Sequence, residues 1–171
     1  MIRKFIAVGC TVLGMAGSTA FAANTATMDV QTDVPGACTI SSNTALADFG
    51  TYAYDGPAST NSHGATGTLL LNCSATTDYF VSVNSGTHAS GAQTRLQNTT
   101  NAAEFLSYDI FSDVAYASAF PTTAGTLGTG ATGGTGDGTN HTLQVYYKLP
   151  RNQTTPAPGT YTDTVTFTIT Y

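Results

Sequence analysis

The chain has 171 residues, of which 41% are hydrophobic and only 9% are charged, and its formal net charge is −5. This length suits one ordinary domain with a sizeable core, whereas two domains would be cramped. The acidic balance argues against nucleic acid or anionic lipid headgroups as partners, because like charges repel. Threonine makes up about a fifth of the chain, and this β-forming residue covers the outer face of a sheet without adding charge.

The first 22 residues have the pattern of a secretory signal peptide. Arg3 and Lys4 supply positive charge, an apolar stretch follows, and residues 20–22 read Ala-Phe-Ala, a small-x-small cleavage site. Cleavage there would leave three basic residues against ten acidic ones, a net charge of −7. The apolar stretch is too short and too rich in glycine for a membrane anchor. We therefore expect an exported, soluble product that begins at Ala23.

Two cysteines, Cys38 and Cys73, remain after the signal peptide. An even pair of cysteines in an exported chain indicates a disulfide that forms in an oxidising compartment. A bridge across the intervening segment would stabilise the fold by roughly 3 to 4 kcal/mol in the chain-entropy model.

Residues 24–34 alternate strictly between two kinds of side chain. One row is polar throughout, and the other is apolar or nearly so: Ala26, Met28, Val30, Thr32 and Val34. Pro35-Gly36 then interrupts the pattern. We interpret residues 23–36 as an N-terminal arm that is separate from the domain formed by residues 37–171.

From Ala37 onwards the pattern predicts short strands and no helix. Clusters of Gly, Pro, Asn and Ser separate the candidate strands, which are 37–40, 47–52, 66–73, 78–84, 105–112, 142–149 and 160–171. An all-β sandwich with about six core strands follows, one strand fewer than a seven-strand sandwich needs. The Thr- and Gly-rich stretch within 125–140 is predicted to be a flexible surface loop.

The final segment, 160–171, carries the strongest strand signal. Threonines occupy one face almost without a break, and the other face carries Tyr161, Val165, Phe167, Ile169 and Tyr171. A sandwich that lacks its last strand leaves a groove beside such a segment, lined by unpaired backbone groups. The arm would span about 36 Å and the terminal strand about 40 Å, so their lengths match. A complete sandwich, with the arm as its ordinary first strand, fits the spacing equally well.

No motif points to catalysis or to a cofactor. His63, His88 and His141 lie in separate loops or strand edges without other metal ligands at a suitable spacing. The Gly128–Gly133 stretch matches a dinucleotide-binding fingerprint by letter, but no helix follows it to hold a pyrophosphate. A Gly-x-Ser-x-Gly nucleophile elbow is absent from the sequence. We expect a protein that is not an enzyme and that binds neither metal nor cofactor.

Four ordered segments carry a family resemblance that covers essentially the whole mature chain. They are Val34-Pro-Gly-Ala-Cys-Thr-Ile40, Asp48-Phe-Gly-Thr-Tyr52, residues 65–73, and Pro158-Gly-Thr-Tyr-Thr-Asp-Thr-Val165. Together they resemble the spore coat U domain family, which includes the Csu-type pilins of archaic chaperone-usher pili. The combination in this order is specific, although each piece alone is weak.

The resemblance implies an incomplete immunoglobulin-like subunit whose N-terminal arm completes its neighbour by donor-strand exchange. A periplasmic chaperone would hold the groove open, and an outer-membrane usher would pass the subunit to a pilus on the cell surface for attachment and biofilm formation. The implied donor side chains are Ala26, Met28, Val30, Thr32 and Val34; the implied acceptor strand carries Tyr161, Val165, Phe167, Ile169 and Tyr171; the implied disulfide joins Cys38 to Cys73. Two alternatives stay open: a spore or cell-coat protein of the same fold, and a secreted monomeric carbohydrate-binding sandwich.

Overall fold

The computed structural model describes residues 24–171 except 43, 45, 154 and 155. The predicted signal peptide, residues 1–22, and the expected first mature residue, Ala23, lie outside this description. The chain divides into two units at the boundary between Asp33 and Val34. In the first unit, residues 24–33 are exposed and form neither strand nor helix.

The second unit is built from ten strands, and the described residues contain no helix. The all-β prediction is therefore confirmed. Nowhere in the described part of the chain does a helix have the length and hydrophobicity to span a bilayer. In chain order the strands are β1 (Cys38–Ser42), β2 (Ser62–Cys73), β3 (Asp78–Val83), β4 (Arg95–Asn98), β5 (Phe105–Ser107), β6 (Asp109–Phe111), β7 (Gly133–Thr135), β8 (Asn140–Pro150), β9 (Tyr161–Thr162) and β10 (Phe167–Thr170).

These strands form three sheets in which every pair is antiparallel. The orders are β1-β2-β8-β6, β10-β3-β7 and β5-β4-β9. The longest ladder joins β2 to β8, from Ser62 opposite Pro150 to Asn72 opposite Asn140. Because side chains alternate between the two faces of a strand, every second residue of this ladder faces the core.

The core contains inward-facing residues from all three sheets. Val81 of β3 is 0% exposed, and Val145 and Leu149 of β8 are 1% and 2% exposed. A disulfide joins Cys38 to Cys73, which confirms the predicted bridge. The two cysteines face each other in the β1–β2 ladder, so the bond fixes the first core strand to its neighbour.

The predicted strand 47–52 is wrong, because the segment is irregular. The Asp48 carboxylate accepts a hydrogen bond from the Gly50 N–H at 2.8 Å, and Gly50 has a φ of 70°. A residue in this left-handed region bends the chain out of an extended path. Phe49 nevertheless reaches the core, where its ring packs edge-on against Tyr108 and Tyr147 with centroids 6.0 and 6.4 Å apart.

The Gly-rich stretch is part of the sandwich rather than the flexible surface loop that its composition predicts. It contains β7, which pairs with β3, and its Thr132 side chain is buried. Glycine lets the backbone pass close to aromatic rings, since a Cβ at Gly125 would overlap the Phe80 ring and one at Gly134 would overlap the Tyr79 phenol. Close packing against β3 therefore replaces the loop freedom that the glycines suggest.

Sequence patterns also missed one strand and merged two others. The polar sequence of β4, Arg-Leu-Gln-Asn, has no apolar alternation that would mark it as a strand. The predicted strand 105–112 is divided into β5, which pairs with β4, and β6, which pairs with β8. Tyr108 lies at the division and is buried, so the chain changes sheet without leaving the core.

Candidate functional site: the open terminal edge

The terminal segment keeps one backbone phase from Thr160 to Thr170 although its partner changes. β9 pairs with β4, whereas β10 pairs with β3. Between them the carbonyl oxygens of Thr164 and Thr166 accept hydrogen bonds from the N–H groups of Thr87 and Asn84, each at 3.0 Å. The predicted single strand 160–171 is thus two short strands joined by an extended link. The even-numbered residues make all of these backbone bonds.

The odd-numbered residues therefore present their backbone groups to the opposite edge, because both polar groups of a β residue point to the same side of the strand. Among the described residues, no strand pairs with this edge of β9 or β10. The predicted acceptor residues all lie along this open edge. Four of them are partly buried against the core, namely Tyr161, Val165, Phe167 and Ile169, and Tyr171 at the end is 54% exposed.

Strand β1 forms the opposite bank of the open edge. It pairs with β2 alone, and the Ser74 N–H donates to the Ala37 carbonyl at 2.8 Å. This phase turns the backbone groups of Cys38 and Ile40 towards β10. Cα atoms of β1 and β10 approach within 8 Å without forming a ladder, whereas a strand between them would take about 10 Å, two strand spacings. An inserted strand would therefore move the two banks slightly apart.

Asp163 occupies the same inward row, between Tyr161 and Val165, and the acceptor prediction left it out. Its side chain is only 1% exposed. Oδ1 accepts the N–H groups of Thr87 at 3.0 Å and His88 at 3.1 Å, and the His88 Nδ1 lies 3.2 Å away. Oδ2 accepts the Tyr108 hydroxyl at 2.8 Å. A buried carboxylate needs such donors to offset its lost hydration.

Two features of the neighbouring structure preserve this arrangement. Burial, and then the hydrogen bond to Asp163, raise the pKa of Tyr108, so its phenol stays protonated and donates. Gly86 has a φ of 85°, and a Cβ there would overlap the Asp163 carboxylate. Strict alternation of the sequence placed Asp163 in the inward row, but a charged residue gave no reason to include it in an apolar groove.

The open edge ends at a cleft of about 550 Å³ beside Tyr171. Residues 34–36, residues 74–78 and Leu127 form the rest of its lining. In the first unit, the predicted donor residues are exposed without exception. The exposed fraction reaches 88% for Met28 and 92% for Val30. Large apolar side chains at such exposure are unusual in a soluble domain when they form a row.

The fold and the open edge define a β-sandwich whose terminal strand has a partner on one side only. The chain belongs to the Spore Coat Protein U domain family, whose sequence model matches residues 24–168. A comparison with curated protein sequences returns no match.

Among solved structures, the chain is similar to a chain in the crystal structure of the CsuC-CsuE chaperone-tip adhesion subunit pre-assembly complex from the archaic chaperone-usher Csu pili of Acinetobacter baumannii. The sequences are 25% identical, and the TM-score is 0.54. The similarity covers 81% of this chain but 40% of that chain, so it extends over less than half of the solved protein.

Proposed function

We propose that this chain is a structural, non-enzymatic subunit of a surface pilus. It is exported through the periplasm, bound there by a periplasmic chaperone, and passed by an outer-membrane usher into a polymer of pilin subunits. Membership of the Spore Coat Protein U domain family supports the proposal, and so does the similarity to a chaperone-usher pilus structure. Attachment and biofilm formation are the roles that such a fibre serves.

The observation that carries the proposal is the open edge beside β9 and β10. Its backbone donors and acceptors are unpaired by any strand of the described chain, and the side chains of the same residues lie half-buried over the core. An extended segment from another molecule can complete the sheet there through main-chain hydrogen bonds, with alternate side chains entering the groove. An edge of this kind otherwise promotes uncontrolled association.

The arm of a neighbouring copy has the length and the pattern to supply that segment. Residues 24–34 span about 36 Å when extended, which equals the length of the edge from Tyr161 to Tyr171. Burial of Met28, Val30 and Val34 would contribute about 5 to 9 kcal/mol, taken as an upper estimate. Residues 23–36 would then be the donor arm and residues 37–171 the acceptor domain, so that each subunit both gives and receives a strand.

Deletion of residues 23–34 tests this proposal. The shortened subunit should accumulate as a monomer bound to its chaperone, without fibres in electron micrographs and without a ladder on non-boiled denaturing gels. Gln31→Ala is the matched control, because it alters the polar row of the arm and should leave assembly intact. Normal fibres from the deletion variant would contradict the proposal.

Electron microscopy also separates this function from that of a coat protein with the same fold. A pilus subunit produces fibres that project from the cell surface, whereas a coat component produces a layer. A complete carbohydrate-binding sandwich would remain a monomer whether or not the arm is present.

A further inference from the structure

We propose that Thr32 of one copy lies opposite Asp163 of the next, and that this polar pair fixes the register in which the arm joins the open edge. The inference rests on the proposed function, since it describes how the arm is seated. Thr32 and Asp163 become specificity-determining residues for subunit joining.

The two rows that would meet have matching patterns. The inward row of the acceptor edge is apolar or aromatic except for Asp163, whose side chain is buried. The inward row of the arm is apolar from Ala26 to Val34 except for Thr32. In an antiparallel pairing with Thr32 opposite Asp163, every other position is also filled: Val34 opposite Tyr161, Val30 opposite Val165, Met28 opposite Phe167, and Ala26 opposite Ile169.

The direction of the arm follows from the same pair. If the arm ran parallel to β10 with Thr32 opposite Asp163, Val34 would lie opposite Val165 and no residue of the inward row would reach Phe167 or Ile169. These two side chains are half-buried at the centre of the open edge. Only the antiparallel direction lays the arm along the whole edge from Tyr161 to Tyr171.

A shift of the arm is disfavoured by the chemistry of Asp163. A shift by two residues would place a valine against the buried carboxylate and move the Thr32 hydroxyl to Tyr161 or Val165. A shift by one residue would turn the polar row of the arm into the core. Oδ2 accepts only the Tyr108 hydroxyl, and a carboxylate oxygen has room for a second donor such as Thr32.

Cysteine pairs test the register directly in the full mature chain, co-expressed with its chaperone and usher. Val30→Cys with Val165→Cys should form a disulfide between subunits and give a covalent ladder on non-reducing denaturing gels. Met28→Cys with Val165→Cys and Thr32→Cys with Val165→Cys are matched controls, because only the arm position changes. They should give at most a tenth of the covalent ladder. Equal or stronger bridging in either control would overturn the proposed register.

Other outcomes separate this inference from the proposed function. If the variant with Val30→Cys and Val165→Cys forms its bridge only within monomers, the arm lies on its own domain and the pairing between copies is overturned. Absence of polymers from the parent chain would contradict the proposed function itself. Polymers that bridge efficiently only in a control pair would overturn the register and leave donor-strand exchange intact.

A double-mutant cycle tests the polar pair itself. A synthetic peptide of residues 24–34 should bind the arm-deleted subunit about ten-fold less tightly when it carries Thr32→Val, as expected for one lost hydrogen bond to a charged group. The same change in the peptide should have little further effect on an Asp163→Asn subunit, because the partner charge is gone. Equal losses in both subunits would overturn the pairing. If the Asp163→Asn subunit does not fold, the cysteine pairs decide the question.

Discussion

Reduction of the Cys38–Cys73 disulfide should cost about 4 kcal/mol of unfolding free energy at 25 °C. The two cysteines are separated by 35 positions in the chain, and a loop of that length loses this much closure entropy in the chain-entropy model. The fold has little to replace the bond. Strand β1 pairs with β2 alone, so no second ladder holds it in the sheet.

Guanidinium unfolding of the oxidised and reduced mature chain measures this effect. Reduction should lower the midpoint and also raise the m-value, because the unfolded chain becomes less restricted. Thermal unfolding should occur about 8 to 16 °C lower for a domain of this size. The double variant Cys38→Ala with Cys73→Ala separates packing from entropy. It should be about 1 kcal/mol less stable than the reduced wild type, because Cys73 is only 1% exposed and its sulfur fills the core.

A loss below about 1 kcal/mol on reduction would refute the entropic reasoning. It would mean that the unfolded chain already holds the two segments together, or that β1 contributes little to the folded state. Proton exchange at the β1 amides distinguishes these two cases, since only a detached β1 exchanges rapidly in the folded protein.

Two further predictions concern the core. Burial raises the pKa of Tyr147 to about 12, so the folded state keeps a proton that the unfolded state releases above pH 10, and stability should fall as pH rises from about 10 to 12; Tyr147→Phe should flatten this decline in denaturant midpoints measured across that window, and an unchanged decline would count against it. Leu149→Ala should cost about 2 to 5 kcal/mol because the side chain is 2% exposed, whereas Leu46→Ala, at a residue 72% exposed, should change stability by less than about 0.5 kcal/mol; similar losses for both variants in denaturant unfolding would disprove the assignment of the core.

Sequence reasoning succeeded where one local rule decides the outcome. Alternation with a period of two placed Tyr161, Val165, Phe167 and Ile169 on one side of the terminal segment, and the structure places all four against the core. The disulfide was equally predictable, because an exported chain with two cysteines has one way to pair them.

The same reasoning failed where distant packing decides the outcome. Composition predicts that the Gly-rich stretch is a free loop, but close approach to Tyr79 and Phe80 makes it a packed part of the sandwich. The segment 47–52 has a strand-like pattern, yet Gly50 bends it while Phe49 still reaches the core. In both places a contact with residues far away in the chain outweighs the local preference.

The sequence by itself determined which residues of the terminal segment face inward, because the parity of a residue fixes the direction of its side chain in any strand. It also determined that an alternating arm precedes the domain. Only the tertiary structure decided that β4 and β3 share the terminal segment and that its other edge is open. Backbone donors and acceptors are the same for nearly every residue type, so the sequence carries no direct record of which strand edges are paired.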